Sequence, residues 1–169
     1  MRQILQVQDT HLFQRFLALC AGNIGQLFNA SRIGSDCGLN HGTVGKWLSV
    51  LEASYVAFRL QPHHKNYRKR LVKTPKIYFY DVGLAIRLLG IESPQQLDTH
   101  PLRGALFENW VILELLKGRF NLGLRNNLSF WRNNTGHEID VLMDRGGQLI
   151  PIEIKSGQTV EHAPRGQRE

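Results

Sequence analysis

From Gly136 to Gly157 the chain reads GHEIDVLMDRGGQLIPIEIKSG, with apolar residues at every second position on both sides of a glycine pair. Successive strand side chains point to opposite faces, so this pattern suits an antiparallel hairpin rather than a helix. In the first strand Ile139, Val141 and Met143 share a face, with Glu138, Asp140 and Leu142 opposite. In the second, Ile150, Ile152 and Ile154 share a face, with Pro151, Glu153 and Lys155 opposite. A loop from Arg145 to Gln148 sets Asp140 opposite Glu153, whereas a loop of Arg145 and Gly146 alone sets it opposite Pro151. Either register places Asp140, Glu153 and Lys155 on one sheet face. The plainer alternative is an edge strand on which Glu153 and Lys155 form a solvated pair.

Upstream, the punctuation marks a series of short elements. Asp9 and Thr10 are placed to cap a helix through HLFQRFLALC that Gly22 ends, and a second helix is expected over Ala30 to Cys37. The turn Gly38-Leu39-Asn40 leads into a third, from His41 to about Ala53, with Val44, Leu48 and Leu51 inward. SYVAFRLQP and KIYFYD read as strands around the basic loop HHKNYRKRLVKTP. Helix, helix, turn, helix, strand, basic loop, strand is the order of a winged helix-turn-helix. Asp81 then caps DVGLAIRLLG, SPQQLDTH reads as a polar connector, and Pro101 opens a helix expected to end at Gly118. LSFWRN is strand-like and precedes the hairpin. This reading divides the chain into a winged helix-turn-helix segment, 1–95, a second unit, 96–157, and a disordered tail, 158–169.

The chemistry that can be read from composition is electrostatic. The 169 residues carry a formal net charge of +7, which favours a polyanionic partner. In the basic loop Lys65, Arg68, Lys69, Arg70, Lys73 and Lys76 surround Tyr67, and as a wing they would follow a phosphate backbone, with Lys46 on the third helix in reach of another phosphate. The same loop equally suits a surface that docks on an acidic protein. Trp47, Trp110 and Trp131 read as core packing. His63, His64 and His137 lack metal-ligand spacing, and Cys20 and Cys37 form no disulfide or zinc pattern. The N-terminus has no signal layout and no apolar run is long enough to span a bilayer, so a cytoplasmic location is expected. Oligomeric state leaves no trace in the sequence.

Glu108 is the anomaly of the Pro101–Gly118 helix. Its neighbours one turn away are Gly104, Ala105, Val111 and Ile112, so a carboxylate falls in an apolar stripe. Such a group must be paired, protonated or metal-bound. Carboxylates converging from Glu108, Asp140 and Glu153 would suit Mg²⁺, which polarises a phosphodiester and activates water, with Lys155 to position that water or offset developing charge.

Asp140 followed by Glu153-Ile154-Lys155, preceded by Glu108 on a helix, resembles the PD-(D/E)XK nuclease superfamily. The blocks NHGTVGKWLSVLEASYVAF, KRLVKTPKIYFYDVGLAIRLLG, HPLRGALFENWVILELLK and FWRNNTGHEIDVL…IPIEIKSG, in that order, resemble the C-terminal domain that follows an AAA+ ATPase module in a large family of uncharacterised prokaryotic proteins. The resemblance implies an α+β chain in which a winged helix-turn-helix precedes a truncated α/β restriction-endonuclease-like core. It implies a DNA-binding, Mg²⁺-dependent nuclease-like function with Glu108, Asp140 and Glu153 as metal ligands and Lys155 assisting the water. The alternative is a non-catalytic module that docks on an ATPase or another protein. No ATP site is expected: GTVGKW around Lys46 lacks the first Walker glycine and has Trp47 after the lysine. The similarity stops near Thr159, short of a further helix and strand, so the reading is of a fragment, inactive by itself.

Overall fold

The structure is a computed structural model and describes residues 9–63, 73–133 and 135–157. Three helices come first: α1 (Thr10–Gly22), α2 (Ala30–Cys37) and α3 (His41–Ala53). Each begins where a short polar side chain accepts from the third residue on. Asp9 takes the Leu12 N–H at 2.9 Å, Asn29 the Arg32 N–H at 3.0 Å and Asn40 the Thr43 N–H at 2.8 Å. Gly38, left-handed at φ 73°, closes α2 and turns the chain into α3. Strands β1 (Ala57–Leu60) and β2 (Lys76–Phe79) follow, then α4 (Val82–Leu88), α5 (Pro94–Thr99), α6 (Arg103–Asn121) and strands β3 (Leu128–Arg132), β4 (Glu138–Arg145) and β5 (Gln148–Ile152).

The fold mixes helix and sheet, in line with the α+β expectation. β1 and β2 pair antiparallel, with Ala57 opposite Phe79 and Leu60 opposite Lys76. β3, β4 and β5 form an antiparallel meander. Beyond β1 the chain runs beside β3: Pro62 bridges Phe130, whose N–H donates to the Gln61 carbonyl at 3.1 Å and whose carbonyl accepts from the His63 N–H. On the other side of β2, Ile24 and Leu27 bridge Ile77 and Lys76. Asn109 of α6 completes that edge. Its side chain accepts from the Phe79 N–H at 2.7 Å and donates to the Phe79 carbonyl at 2.9 Å, standing in for a neighbouring strand. Buried apolar residues from Phe16 to Met143 form one continuous core across both halves of the chain.

Several expectations are revised. SPQQLDTH is not merely a connector: Pro94–Thr99 is helical, with Ser93 as N-cap and proline in the first turn, a start signal of ordinary kind. Gly118 does not end α6, which continues to Asn121 before Gly123 turns left-handed at φ 68°. Trp110 is half exposed, because it lies on the α6 face of Glu114 and Lys117, one and two turns on, while Leu106, Asn109, Leu113 and Leu116 make the buried stripe. Trp47 does pack inside, edge-on to Phe13 at 5.2 Å and Phe16 at 5.4 Å. The hairpin takes the register with Val141 opposite Ile152 and Arg145 opposite Gln148, the register that would bring Asp140 to Glu153. Its loop is only Gly146 and Gly147, at φ 63° and 92°, values that L side chains rarely adopt. The second strand stops at Ile152, short of Glu153-Ile154-Lys155.

Both cysteines are buried and free, and burial pushes the Cys20 thiol up to about 12. Among the described residues no helix is long and apolar enough to cross a membrane. Residues 158–169, read as a disordered tail, lie outside the described residues.

Candidate functional site

Glu108 turns inward, as its neighbours require, and it meets a lysine. Lys76 opens β2 and is only 3% exposed. Its ammonium lies 3.2 Å from Glu108 Oε1 and also contacts Glu138 at the start of β4. Tyr78, two residues along β2 and therefore on the same strand face, donates its hydroxyl to the same Glu108 oxygen. Glu138 accepts a second cation, Arg132 of β3, at 3.3 Å. The result is a chain of opposite charges, Arg132–Glu138–Lys76–Glu108, that ties both sheets to α6. Lys76 also lies 5.5 Å from the centre of the Phe130 ring, whose face favours a cation.

The titration behaviour follows from this packing. Burial raises the Glu108 pKa above its ordinary 4.5, although Lys76 and the Tyr78 hydrogen bond pull it down; the negative charge of Asp140 adds to the rise. The Tyr78 phenol is pushed far up, first by burial and then by the Glu108 charge beside it. Folding therefore holds a proton on Glu108 more firmly than the unfolded chain does. The stability this contributes is complete below 4.5 and is lost as pH rises through the higher folded value. Glu108→Gln lacks that contribution. The stability advantage of wild type over Glu108→Gln is expected to shrink as pH rises from the acid side of 4.5 towards neutrality, in urea unfolding at stepped pH. A constant difference would contradict the burial of this carboxyl.

The other residues singled out in the sequence are placed as follows. Asp140 shares the β4 face of Glu138 and acts electrostatically on both Glu108 and Tyr78. One of its oxygens accepts from the Ile154 N–H at 2.8 Å, where strand pairing has ended. Glu153 and Lys155 stand apart: their side chains are 50% and 83% exposed and pair with each other at 3.7 Å. Lys46 and Lys73 are exposed, while Lys65, Arg68, Lys69 and Arg70 lie outside the described residues. His137 is an exposed loop residue that meets Thr135 Oγ1 at 3.0 Å.

This arrangement does not fit the implied Mg²⁺. Among the described residues no three acidic, histidine or cysteine side chains are grouped to hold a metal ion. Glu108 spends its carboxylate on an ammonium and a phenol, Asp140 on a backbone N–H, and Glu153 faces solvent. Lys76 and Glu138 are the residues that sequence reasoning missed. Charge groups Lys76 with the basic loop, yet it begins the apolar run KIYFY, and a lysine at the head of a buried strand needs a carboxylate partner.

A second feature is a cleft of about 650 Å³ between the 23–32 segment and the β3 end, lined by polar residues including Arg32, His41, Thr74 and Arg132. A third is an apolar groove of about 310 Å³ between α4, α5 and α6, where Phe107 and Trp110 pack with ring centres 5.8 Å apart.

Residues 1–95 match the family described as "Domain of unknown function (DUF8612)" and residues 103–166 match "Domain of unknown function (DUF4143)". Uncharacterized proteins of Mycobacterium bovis and Mycobacterium tuberculosis are each 33% identical over 135 residues, which is 80% of this chain and 30% of theirs. An uncharacterized protein of Haemophilus influenzae is 23% identical over 154 residues, 88% of this chain and 35% of its own. The chain thus spans about a third of the length of these curated relatives. No solved structure matches.

Proposed function

The chain belongs to the DUF8612 family, a domain of unknown function, and from that premise we propose that it is a nucleic-acid-binding, nuclease-like module that does not cut. The observation that carries this reading is the Lys76 ammonium held between Glu108 and Glu138, a charge that a phosphodiesterase centre would need to supply as a divalent ion. In this reading the first three helices with β1 and β2 are a winged helix-turn-helix. What supports it is the element order, together with the segment at Ile24–Leu27 that bridges to β2. The meander with α6 is then a PD-(D/E)XK-like core with its charge centre neutralised from within. Binding is assigned to the basic side of the N-terminal half, where Lys46, Lys73 and Arg32 are exposed and the net charge of the chain is +7.

The test is a salt titration of binding to a labelled DNA duplex. Replacing Lys46, Lys65, Arg68, Lys69, Arg70 and Lys73 with glutamine together is expected to weaken binding. It should also flatten the slope of log affinity against log salt, by up to about 0.9 for each phosphate no longer neutralised. An unchanged slope would move the function to a second reading, protein docking. That reading is favoured by the exposed Phe107 and Trp110, 36% and 50%, on the α4–α6 groove. It would make the chain a docking module for a partner such as an ATPase, the association for which the DUF4143 family is known.

A further inference from the structure

The polar cleft between the 23–32 segment and the end of β3 is bordered by parts of the chain that the fold holds in place. Residues 24–28 run beside β2: the Gly25 N–H donates to the Ile77 carbonyl at 2.9 Å, the Ile77 N–H to the Gln26 carbonyl at 3.2 Å, and the Phe28 N–H to the Pro75 carbonyl at 2.8 Å. Asn29 then caps α2 by accepting from the Arg32 N–H, which sets the first turn of that helix, Ala30 to Arg32, along the cleft. β3 contributes Arg132, whose guanidinium lies 3.3 Å from Glu138 Oε2. Glu138 is itself engaged by Lys76, which is 3% exposed, so Arg132 is anchored through a buried lysine. A guanidinium carries more N–H donors than one carboxylate contact uses, and the rest of them remain for the cleft that Arg132 lines.

We propose that this cleft binds a nucleoside phosphate, with Arg32 and Arg132 on the phosphate. Two arginines and His41 line it, and none of its described lining residues is Asp or Glu. Arg32 is exposed and makes no ion pair among the described residues. Cations gathered on a concave surface focus a positive field, and the arginine fork matches the oxygens of a phosphate. The volume argues for more than a bare anion: about 650 Å³ lies within the range of pockets that hold whole organic ligands. The remaining lining suits a nucleoside. Leu27 and Phe28 offer apolar surface, while Asn23, Gln26 and Thr74 can both donate to and accept from base edges and sugar hydroxyls. The phosphate belongs either to a free nucleotide or to the end of a nucleic-acid strand, and the recognition chemistry is the same for both. This inference deepens the nucleic-acid-binding reading and rests on it for the choice of a nucleoside over another organic phosphate.

The test is isothermal titration calorimetry on the full 169-residue chain with three probes: adenosine monophosphate, a 5′-phosphorylated single-stranded tetranucleotide, and inorganic phosphate. Binding of the mononucleotide identifies a free nucleotide as the source, and binding of the tetranucleotide alone identifies a strand end; either supports the proposal. Arg32→Gln and Arg132→Gln are each expected to weaken that binding about tenfold or more, as the loss of charge-assisted hydrogen bonds to phosphate requires. Arg87→Gln, which removes an equal charge from the exposed face of α4, is expected to leave it unchanged. Arg32 is exposed, so Arg32→Gln decides the matter even if Arg132→Gln does not fold. The proposal is overturned if wild type binds neither nucleotide, if Arg32→Gln binds as wild type does, or if Arg87→Gln loses as much affinity as Arg32→Gln. Inorganic phosphate that binds as tightly as the nucleotides overturns it too, because the nucleoside would then contribute nothing. The duplex titration replaces none of the residues that line the cleft, so an unchanged salt slope there and a failure of nucleotide binding here are separate results.

Discussion

Lys76→Met is expected to destabilise the fold by about 3–5 kcal/mol, the usual consequence of deleting one partner of a buried ion pair. Methionine keeps nearly the length and volume of the lysine, so little of the loss is cavity. What remains is Glu108 and Glu138, two carboxylates below a quarter exposed, facing each other with no cation between them. The loss should be read as a lower midpoint in urea unfolding at neutral pH. It should be largely recovered in the triple variant Lys76→Met, Glu108→Gln, Glu138→Gln, since neutralising the three buried members together is far less costly than neutralising one, and the Arg132 left without its carboxylate partner has a side chain 35% exposed. A Lys76→Met protein as stable as wild type would remove the charge chain from any structural role.

Asn109→Leu should cost a comparable amount, roughly 2–5 kcal/mol, by a different route. Asn109 is fully buried and its amide satisfies both the N–H and the carbonyl of Phe79. Leucine fills the same volume and makes neither bond, and each buried backbone group left unpaired costs about 1–3 kcal/mol. Because Asn109 caps the free edge of β2, the amides of β2 should also lose protection from hydrogen exchange. Wild-type exchange rates in β2 would show that the edge is held by something other than this side chain.

Much of the architecture is legible in the sequence, and the reasons differ by element. The first and third helices are readable because each is announced by a side-chain cap, Asp9 or Asn40, a local interaction that needs no tertiary context, and the structure shows Asn29 doing the same for the second. The hairpin register is readable as one of two alternatives, and the glycine pair decides it by taking two consecutive left-handed positions. Beyond Ile152 alternation misleads: the pattern continues through Lys155, but strand pairing needs a partner backbone, and Asp140 offers its carboxylate to Ile154 instead. Trp110 is misplaced by a reading that lets size outweigh helical phase. At the acidic centre, the inward turn of Glu108 follows from its apolar neighbours. Its partner cannot be read from the sequence, because Lys76 is 32 residues away and meets it only through the packing of β2 on α6. Charge alone assigns that lysine to a phosphate backbone. Burial assigns it to a glutamate.

The central proposal is that the chain binds nucleic acid without hydrolysing it, because its own lysine occupies the charge centre. The most direct measurement incubates the chain with labelled linear and branched duplexes in Mg²⁺, with a chelator control, and follows binding and strand scission in the same samples. The account predicts a retarded, intact substrate in both conditions. Mg²⁺-dependent scission that is lost in Asp140→Asn would contradict it.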